Sequence, residues 1–124
     1  MSAPTGTSQR SQAPAYWAVE PASGWLTGAR RAPSPHFDER PAGTTIDTLI
    51  VHSISMPPGQ FGGRDVERFF TNTLDWSSHP FYRQIEGMTV SSHLFIRRSG
   101  EVVQFVPLTK RAWHAGLSVF DGRA

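Results

Sequence analysis

Two β-rich runs, Ser91 to Arg98 and Glu101 to Leu108, meet across Ser99-Gly100. Runs of this kind joined by a short Gly-bearing connection predict a β-hairpin, so the chain is bound to build a sheet. A third run, Ile46 to His52, alternates Ile46, Thr48 and Ile50 with Asp47, Leu49 and Val51. Its apolar side chains fall on both faces towards the end, which predicts a central strand covered on both sides. Met56-Pro57-Pro58-Gly59 then forces a loop. After Gly62-Gly63, the residues Val66, Phe69, Phe70 and Leu74 stand at helical spacing, with Asp65 and Glu67 in the first turn. That pattern predicts a short amphipathic helix ending near Asn72. Strand, helix and hairpin in this order indicate an α/β or α+β sheet domain.

With 124 residues there is room for one domain. Residues 1–23 are built mainly from Ser, Ala, Pro, Thr, Gly and Gln, with Arg10 the sole charge before Glu20. Such a segment has little apolar surface to offset the entropy of ordering, so a disordered tail is expected there. Tyr16 and Trp17 are its exceptions. The folded domain is then expected over residues 24–124. The last residues, Val119 to Ala124, offer no closing helix or strand, and Gly122 sits where a turn would lead onward. The domain is expected to be C-terminally truncated.

The absence of cysteine removes disulfide scaffolds, thiolate zinc fingers, iron–sulfur clusters and thiol nucleophiles together. No run approaches the ~18 apolar residues of a membrane span, and residues 1–20 lack a secretory apolar core. Eleven arginines and one lysine are scattered among ten acids, giving a formal net charge of +2. Without clustering on one face, nucleic acid is not an expected partner.

Chemistry therefore rests on five histidines, the carboxylates and the hydroxyls. His36, within Pro33-Ser34-Pro35-His36, and His79, before Pro80, sit in turn-like segments and are expected to be structural or exposed. His93, beside Leu94 and Phe95, is expected to be a hydrogen-bonded core residue. His52 differs, because it ends the expected central strand where the chain enters the Pro/Gly loop. Ligands collect beyond the carboxyl ends of strands in α/β sheets, and a neutral imidazole there suits zinc. Taken alone, a structural role is the commoner outcome for such a residue. Trp113-His114-Ala115-Gly116 combines an indole able to stack on a sugar ring with small residues that let a ligand approach. A buried Trp anchoring a loop would account for it equally well.

Several segments, in order, resemble AmpD-type 1,6-anhydro-N-acetylmuramoyl-L-alanine amidases. They are Gly24-Trp25-Leu26, Ala29 to His36, Val51 to Gly63, His79-Pro80-Phe81, Val90 to His93, Ile96 to Glu101, and Lys110 to Gly116. The resemblance implies a mixed β-sheet flanked by helices, as in peptidoglycan recognition proteins. It implies a zinc-dependent amidase of peptidoglycan recycling in the cytoplasm, cutting the lactyl–L-alanine amide of 1,6-anhydromuropeptides. By position it makes His52 a zinc ligand and assigns Ser53, Trp113 and His114 to substrate binding, with the muropeptide as partner. Ser53 replaces the family's usual Asn, and Thr89 replaces an Arg that faces the substrate. The family's general-base Glu, second zinc His and zinc-binding Asp correspond to positions past Ala124, so no catalytic residue is assigned. Asp121 matches no ligand position. The chain alone is expected to be inactive. A non-catalytic muropeptide-binding module and a non-functional remnant are the alternatives.

Overall fold

A computed structural model describes residues 17–114. Its sheet is mixed, as expected. Strand β1 (Arg30–Arg31) lies parallel to β4 (Val102–Gln104), pairing Arg30 with Val103 and Arg31 with Gln104. On the other side, β3 (Leu94–Ile96) runs antiparallel to β4, with Phe95 opposite Val103. The β3–β4 pair is the expected hairpin. It closes where Arg97 N–H donates to Glu101 O at 2.9 Å and Gly100 N–H to Arg97 O at 2.9 Å, with Gly100 at φ +93°. A second, two-stranded antiparallel sheet joins β2 (Phe37–Glu39) to β5 (Lys110–Ala112), with Asp38 opposite Arg111.

Helix α1 (Asp65–Phe70) covers the main sheet with the side chains that the periodicity singled out. Val66, Phe69, Phe70 and Leu74 are buried, and the Phe70 ring meets Phe105 edge-on at 5.2 Å. A helix of six residues is too short to persist alone. It is held by this burial, at about 1.5–3 kcal/mol per large apolar side chain, and by the Arg68–Asp65 pair at 2.8 Å. Thr71 caps its end, and Asn72 turns the chain at φ +65°.

A second helix, α2 (Pro80–Gln84), has no counterpart in the sequence expectations. His79 is its N-cap, with Nδ1 accepting from Phe81 N–H at 3.0 Å, and Pro80 stands at the first turn. Its Tyr82 is buried and donates its hydroxyl to Asp65 Oδ2 at 2.7 Å, tying α2 to α1.

The central strand is β4, not the run expected at Ile46 to His52. Val103, Gln104, Phe105 and Val106 are completely buried, whereas every residue from Pro41 to Ser53 is exposed and none belongs to a strand. Both edges of β4 are taken by β1 and β3. An apolar, β-branched composition expresses readiness to be buried, but a strand also needs a partner ladder. The strand assignment goes instead to residues 102–104, which have such partners on both sides.

The expected tail boundary at Ser23 falls inside a folded turn. Residues 1–16 lie outside the described residues. Trp17 to Ser23 is part of a small antiparallel loop closed by a Val19–Leu26 bridge, Glu20 N–H to Trp25 O at 2.9 Å and Thr27 N–H to Ala18 O at 2.9 Å. The buried Gln104 amide fastens this loop to the sheet. Its Nε2 donates to Gly24 O and Val106 O, each at 3.1 Å, and its Oε1 accepts from Leu26 N–H at 2.7 Å. Gly24 is at φ +79°, and a Cβ there would stand 2.7 Å from Thr109 N and 2.9 Å from Leu108 N. Only glycine fits this approach.

Candidate functional site

The short β2–β5 ladder delivers Trp113 and His114 to the surface immediately after Ala112. The side chains around it fix that delivery. Arg111 grips Asp38 with two bonds at 2.7 and 2.6 Å, and Lys110 Nζ reaches Glu39 at 2.6 Å. The Arg111 guanidinium holds the Asp38 carboxyl below the usual carboxylate range. Trp113 N–H donates to His36 O at 3.1 Å, while Ser91 N–H donates to Trp113 O at 2.8 Å, so the backbone is clamped on both sides. The indole stacks on the His36 ring with centroids 6.3 Å apart and an interplanar angle of 7°. It remains 36% exposed, so ring surface is left for a ligand.

The five histidines divide into two groups. His36 is buried and donates from Nδ1 to Val90 O at 2.8 Å. His79 caps α2. His93 donates from Nε2 to Lys110 O at 2.9 Å, and its backbone carbonyl accepts from Phe105 N–H at 2.9 Å. Burial pushes the His93 imidazole below its ordinary value, so its neutral form is favoured. These three are structural, in keeping with the sequence expectation. His52 and His114 are different. Both are exposed, and their rings face each other with centroids 5.9 Å apart, tilted by 56°.

The sequence singled out these two residues separately, for different tasks, and the fold brings them together. Ser53 follows His52 on the same exposed run, and Thr89 is exposed as well. His52 does not end a strand. It is placed by the extended segment that leads into Ser55, whose hydroxyl accepts from Gly59 N–H at 2.8 Å to shape the Pro57-Pro58-Gly59 turn. No group of three or more His, Asp or Glu side chains able to hold a metal occurs among the described residues. Imidazole is a donor type that zinc accepts, and a catalytic zinc takes three protein ligands, of which two exposed imidazoles could supply only part. One surface cleft of the described residues is lined by Asp65, Arg68, His79 and Tyr82.

Sequence reasoning had no signal for the His52–His114 proximity, because residues so far apart in the chain meet only through tertiary structure. The His79 cap could have been found. A His-Pro step before Phe81 and Tyr82 places a side-chain acceptor at N-cap and proline at N1.

Comparisons with known proteins agree with this fold. The profile of the N-acetylmuramoyl-L-alanine amidase family, Amidase_2, matches residues 42–123. The 1,6-anhydro-N-acetylmuramyl-L-alanine amidase AmpD of Escherichia coli K12 is 56% identical over 100 residues, covering 81% of this chain and 55% of that protein. Its counterpart from Haemophilus influenzae is 49% identical over 100 residues, covering 81% of this chain and 54% of the relative. The chain thus spans about half the length of the curated relatives it matches. Among solved structures, the crystal structure of a selenomethionine AmpD derivative superposes with a TM-score of 0.79 at 50% identity, over 86% of this chain and 58% of that one. The solution structure of Citrobacter freundii AmpD gives 0.50 at 53% identity, over 81% and 54%. Among the described residues no helix is long and apolar enough to cross a membrane. From the profile match, the identities and the shared mixed sheet, the chain belongs to the Amidase_2 family of N-acetylmuramoyl-L-alanine amidases.

Proposed function

We propose that this chain forms the metal-anchoring part of a zinc-dependent amidase that hydrolyses the lactyl–L-alanine amide of 1,6-anhydromuropeptides during peptidoglycan recycling in the cytoplasm. The observation that carries the proposal is the 56% identity over 100 residues to the E. coli enzyme of that name, together with the family match over residues 42–123, which contain His52, Trp113 and His114. In this reading His52 is a zinc ligand. The chemistry a bound zinc ion supplies is polarisation of the scissile carbonyl and activation of a water. The remaining work falls to side chains. The His52 imidazole offers a ring nitrogen at the protein surface. Trp113, braced from behind by His36, offers a flat apolar face to a sugar ring. His114 and Ser53 lie within or beside this surface and offer hydrogen bonds to the lactyl and peptide groups. Thr89 replaces a cation with a short hydroxyl, which weakens the hold on an acidic stem peptide.

The test restores the half of the family's length that this chain does not match. Fused to the C-terminal part of E. coli AmpD, the chain is expected to release peptide from anhydromuramoyl-peptide in a chelator-sensitive way. His52→Ala in the fusion is expected to abolish both zinc content and hydrolysis while circular dichroism stays unchanged. The 124-residue chain alone, supplied with zinc, is expected to release none. A fusion that retains stoichiometric zinc after His52→Ala would refute the ligand assignment.

A further inference from the structure

We infer that His36 is a positioning residue for substrate binding: from inside the fold it fixes the plane of the Trp113 indole, on which the sugar ring of the ligand stacks. The identity of that ligand rests on the amidase reading, and the inference adds a residue to which the resemblance gives no role. Two observations carry it. The first is a closed circuit of contacts. The His36 ring donates from Nδ1 to Val90 O at 2.8 Å, and the next residue, Ser91, donates its N–H to Trp113 O at 2.8 Å. Trp113 N–H in turn donates to His36 O at 3.1 Å, and the indole lies along the His36 ring at an interplanar angle of 7°. The imidazole cannot turn without giving up Val90 O, a costly loss for a residue only 4% exposed. Its near-parallel plane then holds the indole in one orientation.

The second observation is what stands behind His36. Its N–H donates to Ser34 Oγ at 3.0 Å. Ser34 is itself buried and donates its N–H to Phe105 O at 2.9 Å, while Ala32 N–H donates to Gln104 O at 2.9 Å. Residues 32–36 are thus hooked to the fully buried Gln104 and Phe105. The ring that supports Trp113 is anchored in the core, although Trp113 itself stands at the surface. An aromatic side chain ordered before the ligand arrives loses little rotamer freedom on binding, so the stacking contact is retained as affinity. His36 touches no ligand in this arrangement and acts through the indole alone.

The test is titration of the 124-residue chain with anhydromuramoyl-peptide, followed by NMR at the Trp113 indole N–H and the His36 ring protons. Both are expected to shift along one binding curve. His36→Asn keeps a donor for Val90 O and removes the ring. Its Kd is expected to rise about three- to tenfold, the range of one aromatic contact, with circular dichroism unchanged. The free stem peptide, which lacks the sugar, is expected to distinguish parent from His36→Asn by less than about twofold. His79→Asn, which keeps a capping acceptor, is expected to bind as the parent does. An unchanged Kd in His36→Asn, or an equal loss with the free stem peptide, would overturn the inference. Should His36→Asn unfold, the parent decides alone: His36 ring protons that stay still while the indole shifts would overturn it. Absence of binding by the parent chain would overturn it too, while peptide release by the fusion decides the amidase reading separately.

Discussion

The run from Ile46 to Val51 and the run from Val103 to Val106 are both apolar and rich in β-branched residues, yet they meet opposite fates. Leu49 and Val51 are 84% and 82% exposed, whereas Val103, Phe105 and Val106 are completely buried. The difference is not composition. Residues 102–104 have a hairpin partner across Ser99-Gly100 and a second neighbour in β1, and α1 lies over Phe105. Residues 46–51 are exposed and belong to no strand. Strand formation is a property of a pair, and burial follows from it.

The comparison breaks most visibly under truncation. Phe105→Ala removes a ring packed against both Phe70 and Phe95 and is expected to cost about 3–5 kcal/mol, measured by urea unfolding. If Phe105→Ala proved as mild as a surface change, β4 would not be the centre of the core. Gln104→Leu keeps volume but leaves Leu26 N–H and Val106 O without their partner. An expected loss of about 1–3 kcal/mol should appear with faster amide exchange in residues 18–27, the loop that Gln104 secures.

Acid should separate the anchored region in two steps. His93 is held below its ordinary imidazole value by burial, so the unfolded chain takes up its proton first. The stability this confers is full above about pH 6.5 and is lost as the pH falls through the folded value. Glu67 is lowered chiefly by its hydrogen bonds to Arg30, which reaches it at 2.8 and 3.1 Å. Its contribution is present above the ordinary carboxylate value and is lost at lower pH, as the pH falls through its folded value. Melting temperatures between pH 8 and pH 3 should therefore decline in two stages, and His93→Asn should flatten the first. The smallest effect belongs to the exposed run. Leu49→Ser and Val51→Ser are expected to change stability by no more than about 0.5 kcal/mol, while lowering self-association seen by light scattering.

What the sequence disclosed follows the range of the interactions involved. The hairpin is written in adjacent residues and a Gly-bearing turn, and helix α1 in the spacing of Val66, Phe69 and Phe70, so both were legible. Strands β1, β2 and β5 are only two or three residues long. They exist because distant residues pair with them, as Arg30 does with Val103, and no local pattern announces that. Helix α2 spans five residues, too few for periodicity to show. The exposed run misled because its pattern reports what burial would tolerate and is silent about partners. The site was legible residue by residue: His52 and His114 each stood out by context. Their meeting was not, since it depends on the β2–β5 ladder and on the course of residues 44–55.

The Gln104 clamp also has a consequence in time. Its bonds to Leu26 and Gly24 span 78 and 80 residues of chain, and β1 requires the same distant strand. On a ribosome adding about 5–20 residues per second, the loop would wait roughly 4–16 s for Gln104 to be made. Throughout that interval the Leu26 N–H and the Gly24 carbonyl lack the Gln104 amide that they bond to in the folded chain. The loop is thus made well before its anchor, and its docking waits on a single amide some 80 residues further along the chain.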